Sequence, residues 1–173
     1  LIEKTVRTLI KRNLTLILYH VFMCYFYRHM QHQIFNIKDE QEFEEVSLRV
    51  FKHQFTNNKV YRSFCDLLYI HPSELTKVEQ IPFLPIQFFK THKVISLTET
   101  IQEIFTSSGT TESVTSKHYI SDLSLYKESY LKGFNHFYGD IENYTILALL
   151  PNYLERNGSS LAFMVDDLIQ KSN

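Results

Sequence analysis

Between Phe105 and His118 the chain reads Phe-Thr-Ser-Ser-Gly-Thr-Thr-Glu-Ser-Val-Thr-Ser-Lys-His. Thr106, Ser107, Ser108, Gly109, Thr110 and Thr111 follow an apolar stretch and are all small. Their backbone can approach a ligand closely, with hydroxyls and N–H groups available as donors, and Lys117 adds a mobile positive charge. Such a loop suits phosphate oxygens. It is not a Walker A loop, because no Gly-Lys-Ser/Thr stands at the required glycine spacing. A serine-rich surface turn has the same composition, so the loop's chemistry alone leaves both readings open.

Other reactive residues point to less. No pair of histidines has the i, i+4 spacing with a glutamate that a zinc-protease helix needs, so no metal site is expected. Cys24 and Cys65 are the only cysteines. They are too few for a disulfide framework or a four-cysteine zinc site, and a reducing compartment is the default. Cys65 lies between Phe64 and Leu67 and reads as a small buried hydrophobe, while His53, His71 and His92 read as surface residues. His118 is either near the ligand or a strand histidine satisfied by backbone. Tyr153, Gly158 and Ser159 follow an apolar strand at its carboxyl end, where open α/β sheets place ligands, and are candidates to line a cleft. Ser159 or Ser160 would also cap the next helix. Asp166 and Asp167 on that helix are expected to be solvated, since adjacent helical residues do not share a face.

The elements that must position these residues are those of an α/β protein. Asp39 caps a stretch with acids in its first turn and apolar residues at Phe43, Val46, Val50, Leu48, Phe51 and Phe55, an amphipathic helix. A second helix is expected over Lys59 to Leu68, broken at His71-Pro72-Ser73. Ile81-Pro82-Phe83-Leu84-Pro85 is an extended connector whose apolar residues should face the core, and it leads to a short turn at Phe88-Phe89. Val94-Ile95 and Ile101 to Phe105 read as strands. His118 to Ile120 reads as a returning strand, and Asp122 to Phe137 as a helix carrying Leu123, Tyr126, Tyr130, Leu131 and Phe134 on one side. Thr145 to Leu150 is continuously apolar, as in strands buried on both faces, and Ser159 begins another helix. Strands alternating with helices predict a mainly parallel sheet with flanking helices behind a helical lead-in.

Composition fits one domain or a large piece of one. The 173 residues carry 18 Lys+Arg against 19 Asp+Glu, and 44% are hydrophobic. That is enough apolar material for a core, which excludes bulk disorder. The balanced charge argues against nucleic-acid binding by a basic face. Residues 1–33 differ from the rest: Lys11-Arg12 precede an uncharged run from Leu14 to Tyr27. At about 14 residues it is short of the roughly 18 to 20 that span a bilayer, it holds His20, and no small-residue cleavage site follows. It is read as an apolar leading segment outside the domain, or a packed helix, with a membrane anchor the least favoured. Residues 34–173 form the domain. Opening at Leu1 and stopping at Asn173 within a helical pattern, the chain reads as a fragment.

Ser107-Ser108-Gly109-Thr110-Thr111 followed by Lys117 resembles the phosphate loop of the adenylate-forming superfamily. Three further blocks narrow the likeness: Ile81 to Lys90, Ser116-Lys117-His118-Tyr119, and Leu149 to Arg156 with Gly158-Ser159-Ser160-Leu161. Ordered along the chain from about Asn36 to Asn173, they resemble the acyl-protein synthetase (LuxE) family. That resemblance implies the amino-terminal part of an adenylate-forming fold, a cytoplasmic enzyme, and ATP-dependent activation of a fatty acid as acyl-AMP. The acyl group then passes to a protein thiol, and in bioluminescence members to a fatty acid reductase. By position, Thr106 to Thr111 would hold the pyrophosphate end of ATP, Lys117 would neutralise charge as it leaves, and Mg2+ would bridge the phosphates. The acyl-accepting cysteine matches neither Cys24 nor Cys65 and, with the remaining nucleotide contacts, is expected beyond Asn173. The superfamily's usual second glycine after the paired threonines is Glu112 here. A carboxylate beside triphosphate repels it by about 1 kcal/mol at 4 Å under water-like screening. A phenylacetate-type acyl-CoA ligase and a non-catalytic relative that binds an acyl group or partner are the alternatives.

Overall fold

Asp39 opens the helix that begins at Glu40 by accepting the Glu42 N–H on its carboxylate at 2.8 Å, as its place before a run of acids predicts. The computed structural model describes residues 33–96, 100–107, 114–149 and 158–173. The Leu14–Tyr27 run lies outside these residues, and among the described helices none is long and apolar enough to cross a membrane. The chain divides into two compact units, Leu1–Val46 and Ser47–Asn173. In chain order the described helices of four residues or more are α1 (Glu40–Asn57), α2 (Lys59–Leu67), α3 (Phe88–Thr91), α4 (Leu123–Tyr138) and α5 (Ser160–Lys171), with strands β1 (Glu103–Thr106) and β2 (Lys117–Ile120) between α3 and α4.

In the second unit one core is built from pairs spaced four apart, which places both members of each on one helix face. Phe51 and Phe55 of α1 meet Tyr61 and Cys65 of α2, and Phe64, Ile70, Leu75, Ile81 and Leu84 pack around them. Phe51 meets Tyr61 edge-on with ring centroids 6.0 Å apart. Full burial of a side chain such as Phe51 contributes roughly 2–3 kcal/mol. Asn58 caps α2 by accepting the Tyr61 N–H at 3.1 Å. The Tyr61 hydroxyl donates to the Pro82 carbonyl at 2.7 Å, which pins the connector to this core. Burial pushes the Cys65 thiol above its usual range, so it is a packed hydrophobe as expected.

The connector departs from expectation in one respect. Ile81 and Leu84 face the core, but Phe83 and Ile86 are 85% and 69% exposed. Proline-stiffened backbone has about three residues per turn, so residues three apart share a side and these two pairs lie on different ones. His53, expected at the surface, is buried, its Nδ1 is 3.1 Å from the Asn57 amide, and burial lowers its pKa. Phe43 is half-exposed although the helical pattern placed it on the inner face.

The second core lies behind the strands. Phe105 is buried against Tyr126 of α4 and Phe163 of α5, at centroid distances of 5.1 and 5.6 Å. Asp122 caps α4 by accepting from Ser124 and Leu125 N–H groups, and Gly139 at φ 86° ends it. Ser159 caps α5, its hydroxyl accepting the Ala162 N–H at 3.2 Å. Ser159→Ala is expected to lower stability by about 1 kcal/mol, the usual value of such a cap, read from urea unfolding.

The architecture is α/β, but the sheet among the described residues is a two-stranded antiparallel hairpin rather than mainly parallel. Val94-Ile95 is not a strand, although Val94 is buried. Residues 145–149, expected as a strand buried on both faces, are irregular, with Leu147 92% and Leu149 100% exposed. Apolar, β-prone sequence becomes a strand only where another strand supplies its hydrogen bonds, and β1 and β2 pair only with each other among the described residues.

Candidate functional site

Strand alternation decides what the hairpin presents. Phe105 pairs with His118 and Thr106 with Lys117, so Phe105 and His118 share one face and Thr106 and Lys117 the other. The inner face is anchored by Phe105. The outer face leaves Thr106 and Lys117 exposed and directly opposite each other on the last rung before the loop. Beyond that rung the chain is closed again. The Ser107 N–H donates to the Ser116 carbonyl at 3.1 Å, and the Ser116 N–H donates to the Ser107 hydroxyl at 3.1 Å. Ser116 is buried. A hydroxyl and an ammonium therefore stand at the mouth of a loop with a pinned neck. Among the described residues Lys117 makes no ion pair.

Of the residues proposed from sequence, Ser108, Gly109, Thr110, Thr111 and Tyr153 lie outside the described residues, as does Glu112. Thr106, Ser107 and Lys117 are brought together. His118, adjacent to Lys117 in sequence, is not with it: its ring stacks on Phe89 of α3 at 4.7 Å and 21°, on the opposite face of the sheet. Nearby on the outer face, Lys93 lies 5.3 Å from the centre of the Tyr119 ring. The Ile81–Lys90 and Ser116–Tyr119 blocks thus meet in space.

Gly158 joins the site from the other side. Thr106 and Lys117 form a rung without mutual hydrogen bonds, since the Ser107–Ser116 bond fixes the alternation, so the Thr106 N–H points away from β2. It donates to the Gly158 carbonyl at 2.8 Å. The next residue is the Ser159 cap, so α5 begins beside the Thr106 end of β1.

Asp167 overturns its expected solvation. It is buried, while its neighbour Asp166 is exposed and bonds Gln170. Its carboxylate accepts from Lys127 at 3.0 Å, Tyr130 at 2.7 Å and Lys171 at 2.8 Å. Burial pushes this carboxyl up, but hydrogen bonds from Lys171, Tyr130 and Lys127 and the charge of Lys127 outweigh that and hold it at about 2. The same burial, with the carboxylate beside it, pushes the Tyr130 phenol well above its usual range. The network ties α4 to α5 and lies outside the loop. Among the described residues no three His, Cys, Asp or Glu side chains converge as metal ligands.

Ser116, Phe89 and Asp167 carried no sequence signal for these roles. Their partners lie 9, 29 and up to 40 residues away along the chain. Only a pairing register would reveal the first, and helix packing the other two.

The family model for acyl-protein synthetase, LuxE, matches residues 26–132, well over half of the chain. The chain belongs to the acyl-protein synthetase (LuxE) family. The match contains α1 to α3, the hairpin with its loop, and the first part of α4. The Leu149–Arg156 and Gly158–Leu161 blocks lie past it. No curated protein and no solved structure matches the chain.

Proposed function

We propose that this chain is the amino-terminal part of an ATP-dependent fatty acid–protein ligase whose phosphate loop runs from Thr106 to Lys117. The observation that carries this reading is the exposed rung of Thr106 and Lys117 at the mouth of the pinned loop, in a member of a synthetase family. In the reaction, a fatty acid carboxylate oxygen attacks the α-phosphorus of ATP. An acyl–phosphate bond forms, and the bond from that phosphorus to the bridging oxygen breaks, so pyrophosphate leaves with the electron pair. A protein thiolate then attacks the acyl carbonyl, forming the thioester and releasing AMP.

The residues present fit the triphosphate. Thr106 and Ser107 supply hydroxyl donors, Ser108 to Thr111 extend the same chemistry, and Lys117 supplies the cation for charge on the departing pyrophosphate. They do not supply a carboxylate cage for Mg2+ among the described residues. A magnesium ion would be carried by the phosphate oxygens and water, as its octahedral demand allows. The acyl acceptor is a cysteine other than Cys24 and Cys65, or one on a partner protein such as a fatty acid reductase.

Glu112 favours a second reading, a relative that binds an acyl group or partner protein without adenylation. ATP–pyrophosphate exchange by the full-length protein separates the two, since a binding module shows none. Transfer of the acyl group to free CoA rather than to a protein thiol would instead support the phenylacetate-type ligase. Glu112→Gly is expected to leave exchange equal to the parent or up to several-fold faster, because it removes a carboxylate that repels phosphate. A large loss would assign Glu112 to magnesium.

A further inference from the structure

We infer that Gly158 is a positioning residue that holds the Thr106 end of the phosphate loop, an inference that rests on the ligase reading above. Gly158 has φ 96°, a region that L side chains rarely adopt. A Cβ there would lie 3.2 Å from the Ile104 carbonyl oxygen and 3.2 Å from the Thr106 hydroxyl oxygen. The Gly158 carbonyl is also the acceptor for the Thr106 N–H at 2.8 Å. The free edge of β1 is therefore held at Thr106 by a residue whose backbone favours glycine and where a side chain would crowd the Ile104 carbonyl and the Thr106 hydroxyl.

The neighbouring helix cannot easily retreat to make room. The Tyr126 hydroxyl donates to the Ser160 carbonyl at 3.1 Å, at the first residue of α5, and Phe163 of α5 packs on Phe105 of β1. A substituent at 158 thus displaces Thr106 and Ser107, where the strand gives way to the loop. Small displacements of groups that stabilise a transition state cost rate rather than binding.

Gly139 supplies the control. Its φ is 86°, close to that of Gly158, but a Cβ at 139 meets nothing within 4 Å. Gly139→Ala carries a similar backbone penalty without touching the loop. In the full-length protein, Gly158→Ala should lower kcat for ATP–pyrophosphate exchange at least ten-fold with KM for fatty acid near the parent's. Gly139→Ala should lose comparable thermal stability and keep parental kcat. Hydrogen exchange at the Thr106 amide should accelerate in Gly158→Ala alone. Parental kcat and unchanged Thr106 protection in Gly158→Ala would overturn the inference, as would equal losses of kcat in both variants. A parent without pyrophosphate exchange would sink the ligase reading instead, and the Thr106 amide would still decide the latch. If Gly158→Ala does not fold, exchange in the parent decides: an unprotected Thr106 amide means that the latch is absent.

Discussion

Lys117→Ala in the full-length synthetase should slow ATP–pyrophosphate exchange by about 10²- to 10³-fold, the usual consequence of removing one preorganised group from developing charge. Lys117 stands opposite Thr106 on the exposed face of the hairpin, at the loop's mouth. On the proposed ligase reading its ammonium would act on charge that builds as pyrophosphate departs, so kcat should fall and fatty acid affinity should not. Lys117→Arg keeps the charge and should recover part of the rate. Thermal unfolding should stay close to the parent's, because β2 pairs with β1 through backbone groups and an exposed lysine adds little packing. Parental exchange by Lys117→Ala would remove this lysine from the chemistry and return the segment to a serine-rich turn.

Asp167→Ala should reduce the stability of the fold by about 3 kcal/mol, measured by urea unfolding at neutral pH, because it strands the half-buried Tyr130 hydroxyl and separates two ammonium groups from their shared partner. The lysine side chains are about 40% exposed, so they turn partly to water and the loss stays at the low end for a buried pair. The pH dependence follows from the same carboxylate. Its pKa falls from 3.8 to about 2 on folding, so the unfolded chain takes up this proton first as pH drops. The contribution is complete above about pH 4 and fades as pH falls through 2. It amounts to about 1–2 kcal/mol once screening of the exposed lysines is allowed for. The stability gap between the parent and Asp167→Asn should narrow by that amount between pH 5 and pH 2. A gap independent of pH would show that Asp167 is not ionised in the fold.

The local elements were legible because each is written in neighbouring residues. Asp39, Asp122 and Ser159 are capping residues ahead of apolar periodicity, and each caps the helix that follows it. The returning strand at His118–Ile120 was legible too, and β2 covers it. Pairing between distant segments was not. The 145–149 stretch has strand composition, yet composition cannot say whether a neighbouring strand is there to hydrogen-bond it. Asp167 looks solvated from its neighbour Asp166, because adjacency says nothing about which of two carboxylates meets Lys127 and Tyr130 from α4. The site was half legible for a similar reason. The loop's hydroxyls and lysine fit either an anion site or a serine-rich turn, and only the register separates Lys117 from His118 and turns them to opposite sides.

The two hydrogen bonds between Ser107 and Ser116 have a consequence for how the loop can change over time. They bring the loop's ends together whatever lies between. The entropic cost of closing the segment grows only logarithmically with its length, about 0.6 kcal/mol for each doubling. A substitution or insertion between Ser107 and Ser116 is therefore expected to leave β1 and β2 paired. On the proposed reading, a change such as Glu112→Gly would then alter ligand preference while the Ser107–Ser116 neck keeps the strands in register.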